Sequence, residues 1–144
     1  MKKMSILAAL ACLLCMAAPA AAGTTKYRGD IDPSGRIAFK VIKESGKHKV
    51  DKLKWTKLPV RCDGKKETTS NGLGFKIRAT GGEFHSTAVL GDASDPDAKA
   101  EVSGQITGQA ATGTIKVSGA KLPLDGGLTG DCRSGKLTWS ASTS

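Results

Sequence analysis

Apolar and polar residues alternate along most of the chain after residue 23, which is typical of β-strands that bury one face. The pattern is clearest where Ile37, Phe39 and Val41 alternate with polar or small residues. Seven further segments show it, at 53–55, 58–62, 73–79, 84–90, 100–106, 113–117 and 136–140. No segment after residue 23 has a helical stripe of apolar residues, so the sequence predicts antiparallel strands throughout.

The alternation changes phase once, between residues 53 and 62. Apolar residues fall at odd positions as far as Trp55 and at even positions from Leu58 to Cys62. A β-bulge near Thr56-Lys57 would keep both halves of the segment facing one core, because a bulge adds a residue to one strand only.

Short glycine turns separate the predicted strands, as is typical of hairpins. They are Asp63-Gly64, Thr80-Gly81-Gly82, Thr107-Gly108-Gln109 and Asp125-Gly126-Gly127. Gly104 and Gly113 instead fall inside strands, where glycine marks a bulge or close packing. The sequence therefore predicts an all-β fold, an antiparallel sandwich or meander barrel of about eight or nine strands.

Residues 1–22 have the features of a cleaved signal peptide. They combine a basic start at Lys2 and Lys3, an apolar run over 4–16 and small residues up to Ala22. We therefore expect an exported protein, periplasmic or secreted, with one antiparallel β-domain over residues 23–144 and no transmembrane segment in the mature chain. A lipid anchor at Cys12 is the less favoured alternative, because the apolar stretch before it is very short.

Cys62 and Cys132 are the cysteines that remain after the signal peptide. Each lies where a strand pattern meets a glycine turn, and disulfides persist in the compartments that exported proteins reach. A metal site would need further ligands, and the histidines, His48 and His85, have no partner at ligand spacing. We therefore predict a Cys62–Cys132 disulfide and no cofactor.

A series of short motifs follows along the same region. They are Tyr27-x-Gly29, Gly35-x-Ile37-x-Phe39-x-Val41, Cys62-Asp63-Gly64, Gly113-x-Ile115 and Cys132-x-Ser134-Gly135-x-x-x-Trp139-x-Ala141. With them the chain resembles small secreted bacterial all-β proteins of unassigned function, hypothetical exported proteins with two cysteines. The resemblance covers nearly all of residues 23–144 and implies the β fold and the disulfide, but no activity and no catalytic residue.

Positive charge is concentrated in one part of the sequence. The formal charge is +9, of which Lys2 and Lys3 contribute two. Between Lys40 and Lys66, ten basic residues against three acidic ones give +7, so the rest of the mature chain is close to neutral. We expect a basic stripe that binds an anionic envelope component or polysaccharide, formed by Lys47, Lys49, Lys52, Lys54 and Lys57. A solvated strand face is the alternative, in which the lysines would also protect an edge strand from pairing. Nucleic acid is not expected, since aromatic residues for base stacking are few.

The remaining candidate sites have less specific sequence patterns than the basic stripe. His48 and His85 have no accompanying nucleophile motif or phosphate loop, so we expect no enzyme. Asp92, Asp95 and Asp97 place oxygen atoms in one loop and are candidate calcium ligands, although acid clusters beside proline are also ordinary turn chemistry. Trp55 and Trp139 are expected in the core near the disulfide, with sugar stacking as the alternative.

These observations favour an exported non-catalytic β-domain that acts as a binding or envelope-accessory protein. A β-barrel carrier of a small apolar ligand is one alternative, and it would need an apolar cavity open at one end. A secreted hydrolase or an enzyme inhibitor is the other; the first would need a polar cleft with a histidine or a carboxylate pair, the second an exposed loop such as 91–98.

Overall fold

A computed structural model describes residues 23–90 and 98–144 of the chain, where it contains ten β-strands and no helix. The strands are β1 (Thr24–Ile31), β2 (Arg36–Glu44), β3 (Lys47–Cys62), β4 (Lys65–Gly72), β5 (Ile77–Ala79), β6 (Glu83–Val89), β7 (Lys99–Thr107), β8 (Ala110–Pro123), β9 (Thr129–Arg133) and β10 (Leu137–Thr143). All their pairings are antiparallel, so the predicted all-β class is confirmed. No helix able to cross a bilayer occurs in these two ranges. The predicted signal peptide and the three aspartates of the candidate calcium loop lie outside the described residues.

The strand pairings form a closed ring in one continuous sheet. β10 pairs with β1 and β8, β1 pairs with β2, β2 pairs with β3, and β9 joins β3 to β8. β7 and β6 extend the sheet from β8, while β4 and β5 pair with β3. The architecture is therefore barrel-like, with the apolar residues of successive strands turned toward a shared core.

The junction between β3 and β9 is the shortest in the ring. It has two residue pairs, Arg61–Arg133 and Cys62–Cys132. The second pair is a disulfide with its Cα atoms 4.2 Å apart, a separation close to that of directly opposed residues in an antiparallel ladder. The predicted disulfide is thus present, and it closes the ring covalently.

Two β-bulges keep the apolar residues of β3 turned inward. Thr56-Lys57 opposes the single residue Ser70 of β4, whose Oγ accepts a hydrogen bond of 2.9 Å from the Lys57 N–H. The bulge predicted at this position is confirmed. A second bulge, at Lys52 with φ 51°, shifts the register against β2, so that Val50 and Leu53 are both buried.

A cluster of aromatic rings fills the core against a glycine surface. Gly104 of β7 lies directly opposite Gly113 of β8, and the Trp139 ring lies where a Cβ atom of either glycine would project. Phe84 covers Gly104 as well, and the Phe39 ring is 5.9 Å from the Phe84 ring and 5.7 Å from the Trp139 ring between centroids. These glycines therefore mark close packing, one of the two roles expected of them.

Both tryptophans belong to the core, as expected. Trp55 is 1 % exposed and Trp139 is 3 % exposed, so neither ring is available for stacking on a sugar. Their indole N–H groups are buried and donate to no partner within the described part of the chain. The tryptophans therefore contribute to function only through the packing of the core.

One predicted strand is shorter than expected, and three strands, β1, β4 and β9, were not predicted. The alternation over 73–79 forms a strand only at β5, and Phe75 is 46 % exposed instead of buried. β4 and β5 both pair with the same edge of β3. Residues 73–76, between them, lie outside both ladders and opposite the bulge at Lys52. β4 and β9 escaped prediction because each has a single buried side chain, Thr69 and Cys132 respectively.

Replacing Gly113 by alanine is expected to destabilise the protein by about 1–3 kcal/mol, the usual cost of overpacking a filled core. The added methyl group would meet the backbone oxygen of Ser103 and the Trp139 ring. Chemical denaturation of the oxidised protein measures the change. Gly74→Ala is the matched control, because its added methyl group meets no atom within 4 Å and its free energy of unfolding should change by less than about 0.5 kcal/mol. Equal stability of the two variants would contradict the packing described.

Candidate functional site

The outer side of β1, β2 and β3 carries six basic side chains around one alanine. Because alternate residues of these strands are buried, the residues between them project outward. Their outward cations line one shallow depression of about 580 Å³ over Ala38. We call them the basic face: Lys26, Arg28, Arg36, Lys40, Lys52 and Lys54.

The strand register sets the spacing of the basic face. Ala38 lies opposite Arg28 on one side and opposite Lys54 on the other, and Lys26 lies opposite Lys40. Directly opposed side chains on neighbouring strands start about 5 Å apart. An anionic group above the small Ala38 side chain is therefore within reach of long basic side chains from both neighbouring strands.

The charges of the basic face are not neutralised by ion pairs to any residue that the structure describes. Among the described residues, none of its six members has a carboxylate oxygen within 4.0 Å. Two acids border it, since Asp30 lies opposite Arg36 and Asp51 lies opposite Lys40 in the strand register. The face therefore keeps a clear excess of positive charge at the surface.

The lysines of the predicted stripe separate into three groups. Lys52 and Lys54 belong to the basic face. Lys47 is exposed where β3 begins. Lys49 and Lys57 each lie within 4.0 Å of a carboxylate oxygen.

Lys49 is held by Glu44 at the end of β2. Glu44 accepts hydrogen bonds from Lys76 at 2.7 Å and from Lys49 at 2.9 Å. These bonds, with that of Lys76 the stronger influence, lower the pKa of the exposed Glu44 carboxyl from 4.5 to about 2. Lys49 thus has a carboxylate partner, which the six members of the basic face lack among the described residues.

Lys57 lies beside Asp125, with the Nζ and Oδ2 atoms 3.7 Å apart. Asp125 also accepts a 2.6 Å hydrogen bond from Thr68. Burial raises the pKa of Asp125, but hydrogen bonds from Thr68 and Ser70 and the charge of Lys57 together bring it below its ordinary value. Asp125 is therefore a structural partner that ties β4 to the turn after β8.

The sequence did not predict four members of the basic face, because the predicted stripe contained only lysines of β3 and these four lie on β1 and β2. Lys26 and Arg28 flank Tyr27, and Arg36 and Lys40 belong to the alternation around Phe39. That alternation already indicates outward side chains. The alternation does not indicate which strands are neighbours. Without the strand order, the cations of the three strands cannot be assigned to one surface.

The histidines and acids form no metal-binding group in the ranges that the structure covers. His48 on β3 and His85 on β6 are both exposed. No group of three or more histidine, cysteine or acidic side chains within residues 23–90 and 98–144 could hold a metal ion.

One end of the barrel has a depression of about 470 Å³. Its lining includes the apolar residues Tyr27, Val41 and Ile106, together with Lys43 and His48. Beneath it, the Tyr27 ring stacks on the Phe39 ring at 5.1 Å between centroids. If the protein were a carrier of an apolar ligand, the ligand would enter the barrel at this depression.

No family model, curated protein or solved structure matches the chain. The resemblance to small secreted bacterial β-proteins therefore stays an expectation from the sequence.

The Glu44 ion pairs give a prediction about pH. Since the pKa of Glu44 in the folded protein lies below its ordinary value, its pairs stabilise the fold at neutral pH and are lost as pH falls from 4.5 toward about 2. A ¹³C NMR titration of the Glu44 carboxyl group should have its midpoint near 2, and Lys76→Gln should raise that midpoint. Lys116→Gln, on β8, is the control and should leave it unchanged. A wild-type midpoint at 4.5 would show that the pairs do not persist in solution.

Proposed function

We propose that this protein is an exported, non-catalytic binding protein whose basic face holds anionic groups of the cell envelope. The observation that carries the proposal is the basic face itself. Six cations share one outer surface, and among the described residues none is neutralised by an ion pair.

Repulsion within the basic face supports an anionic partner. Lys26 and Lys40 lie directly opposite each other, and like charges at such positions destabilise a sheet. A bound anion removes that repulsion and adds attraction of its own. The face is therefore better suited to a bound state than to the free one.

The shape of the basic face favours a partner with repeated charges. The depression over Ala38 lies on the outer side of the sheet, and its cations come from three strands. A surface of this kind attracts through summed long-range charge rather than through one shaped pocket. Phosphorylated glycolipids and acidic polysaccharides both present anionic groups in repeated arrays.

The disulfide supports the proposed location. Disulfides persist in oxidising compartments, and the Cys62–Cys132 bond is mildly consistent with export. Envelope lipids and polysaccharides are the anionic partners available to an exported protein. The features of residues 1–22 point in the same direction.

The variant Lys40→Gln/Lys54→Gln is expected to bind anionic lipid vesicles about 30-fold more weakly than the wild type. The estimate takes about 1 kcal/mol for each basic residue near an anionic membrane surface. Binding of the wild type should also weaken between about 20 mM and about 150 mM salt, because exposed charges are screened. Co-sedimentation with vesicles and retention on an immobilised acidic polysaccharide distinguish the two kinds of partner.

Lys43→Gln/Lys116→Gln is the matched control, since it removes the same charge from positions outside the basic face. It should retain nearly all of the wild-type binding. Equal binding by both double variants, or by the wild type at both salt concentrations, would contradict the proposal and leave the lysines as a solvated strand surface.

A further inference from the structure

A second basic site lies in a groove of about 680 Å³ beside the disulfide. The groove runs between the turn after β1, the end of β3 and the segment that links β9 to β10. Its volume lies within the range of pockets that bind small molecules. Its lining residues are different from the six of the basic face.

Three cations form one row across three strands in this groove. Arg61 of β3 lies opposite Arg133 of β9 on one side and opposite Lys66 of β4 on the other. All three are exposed, and within the described chain none of them forms an ion pair. Two arginines directly opposite each other are destabilising unless an anion lies between them. Their planar guanidinium groups suit a carboxylate or a phosphate.

Carboxylates and apolar walls accompany the arginines. Asp63 and Asp131 line the groove, and neither pairs with a cation within 4.0 Å among the residues described. An ionised carboxylate only accepts hydrogen bonds, so these two suit the hydroxyl groups of a ligand. Pro59 and Leu137 add apolar surface to the same groove.

The groove is held rigid from several sides. The disulfide fixes the residues next to Arg61 and Arg133. The hydroxyl group of Ser134, in the link after β9, accepts a 2.9 Å hydrogen bond from the Val117 N–H and donates at 2.6 Å to Gly135 O. A site whose side chains are carried by such fixed backbone loses little entropy when a ligand binds.

We propose that this groove binds one acidic sugar unit. The acid group lies between Arg61 and Arg133, the hydroxyl groups donate to Asp63 and Asp131, and the apolar side of the ring packs on the proline and leucine walls. A simple inorganic anion would use the arginines alone, and a neutral sugar would use the acids alone. The combination of both is what selects a saccharide that carries a carboxylate or phosphate. The proposal does not depend on the basic face.

The test is an NMR titration of the ¹⁵N-labelled, oxidised mature protein with trigalacturonate as the probe. Amide shifts in the groove, at Gly64, Arg133 and Gly135, should saturate as one site, separately from any shifts at the basic face. Arg133→Gln should weaken binding about tenfold, as expected when a hydrogen bond to a charged group is lost. This substitution relieves repulsion, so the variant should fold. Lys54→Gln, which alters the basic face only, should leave the affinity measured from the groove shifts unchanged.

Two further probes separate the acid from the sugar. Neutral maltotriose and inorganic phosphate should each bind at least tenfold more weakly than trigalacturonate. Asp131→Asn should weaken trigalacturonate binding and leave phosphate binding no weaker. Phosphate binding as tight as trigalacturonate, tighter trigalacturonate binding by Asp131→Asn, or an absence of groove shifts would overturn the proposal.

Discussion

The Cys62–Cys132 disulfide is the covalent link that closes the ring of strands. The ring of strands closes between β3 and β9 through two residue pairs, and the other pair, Arg61–Arg133, is repulsive. The bond spans 70 residues of sequence, for which the chain-entropy estimate of its stabilisation is about 4 kcal/mol. That is a large share of the stability of a typical domain, about 5–15 kcal/mol. A covalent bond thus supplies the closure that so short a ladder does not.

Closure of the ring separates the roles of the two surfaces of the sheet. Inside, Phe39, Phe84 and Trp139 pack against a pair of glycines and leave the core without a functional group. Outside, the same alternation places the cations of three strands around Ala38. The disulfide brings two arginines together in a groove nearby. Both proposed sites therefore lie on the outer surface, which the core and the disulfide hold in place.

Sequence reasoning succeeds where one strand contains the whole signal. The change of phase before Leu58 predicts the bulge at Thr56-Lys57, because only a bulge keeps both halves facing the core. It fails at β4, whose only inward residue is Thr69, satisfied by a 2.7 Å hydrogen bond to Pro123 O. An apolar pattern does not mark such a strand.

The candidate sites depend on which strands are neighbours, and alternation within a strand does not report that. The basic face needs β1, β2 and β3 side by side. The sequence did contain a signal for the pairing of Arg61 with Arg133. In an antiparallel pair that is joined at Cys62 and Cys132, the residue before the first cysteine must lie opposite the residue after the second.

Native-state hydrogen exchange of a Cys62→Ala/Cys132→Ala variant tests the central role of the bond most directly. The amides of β9 should lose their protection while those of β1 and β2 keep theirs, whereas unchanged protection of β9 would show that the ring closes without the disulfide.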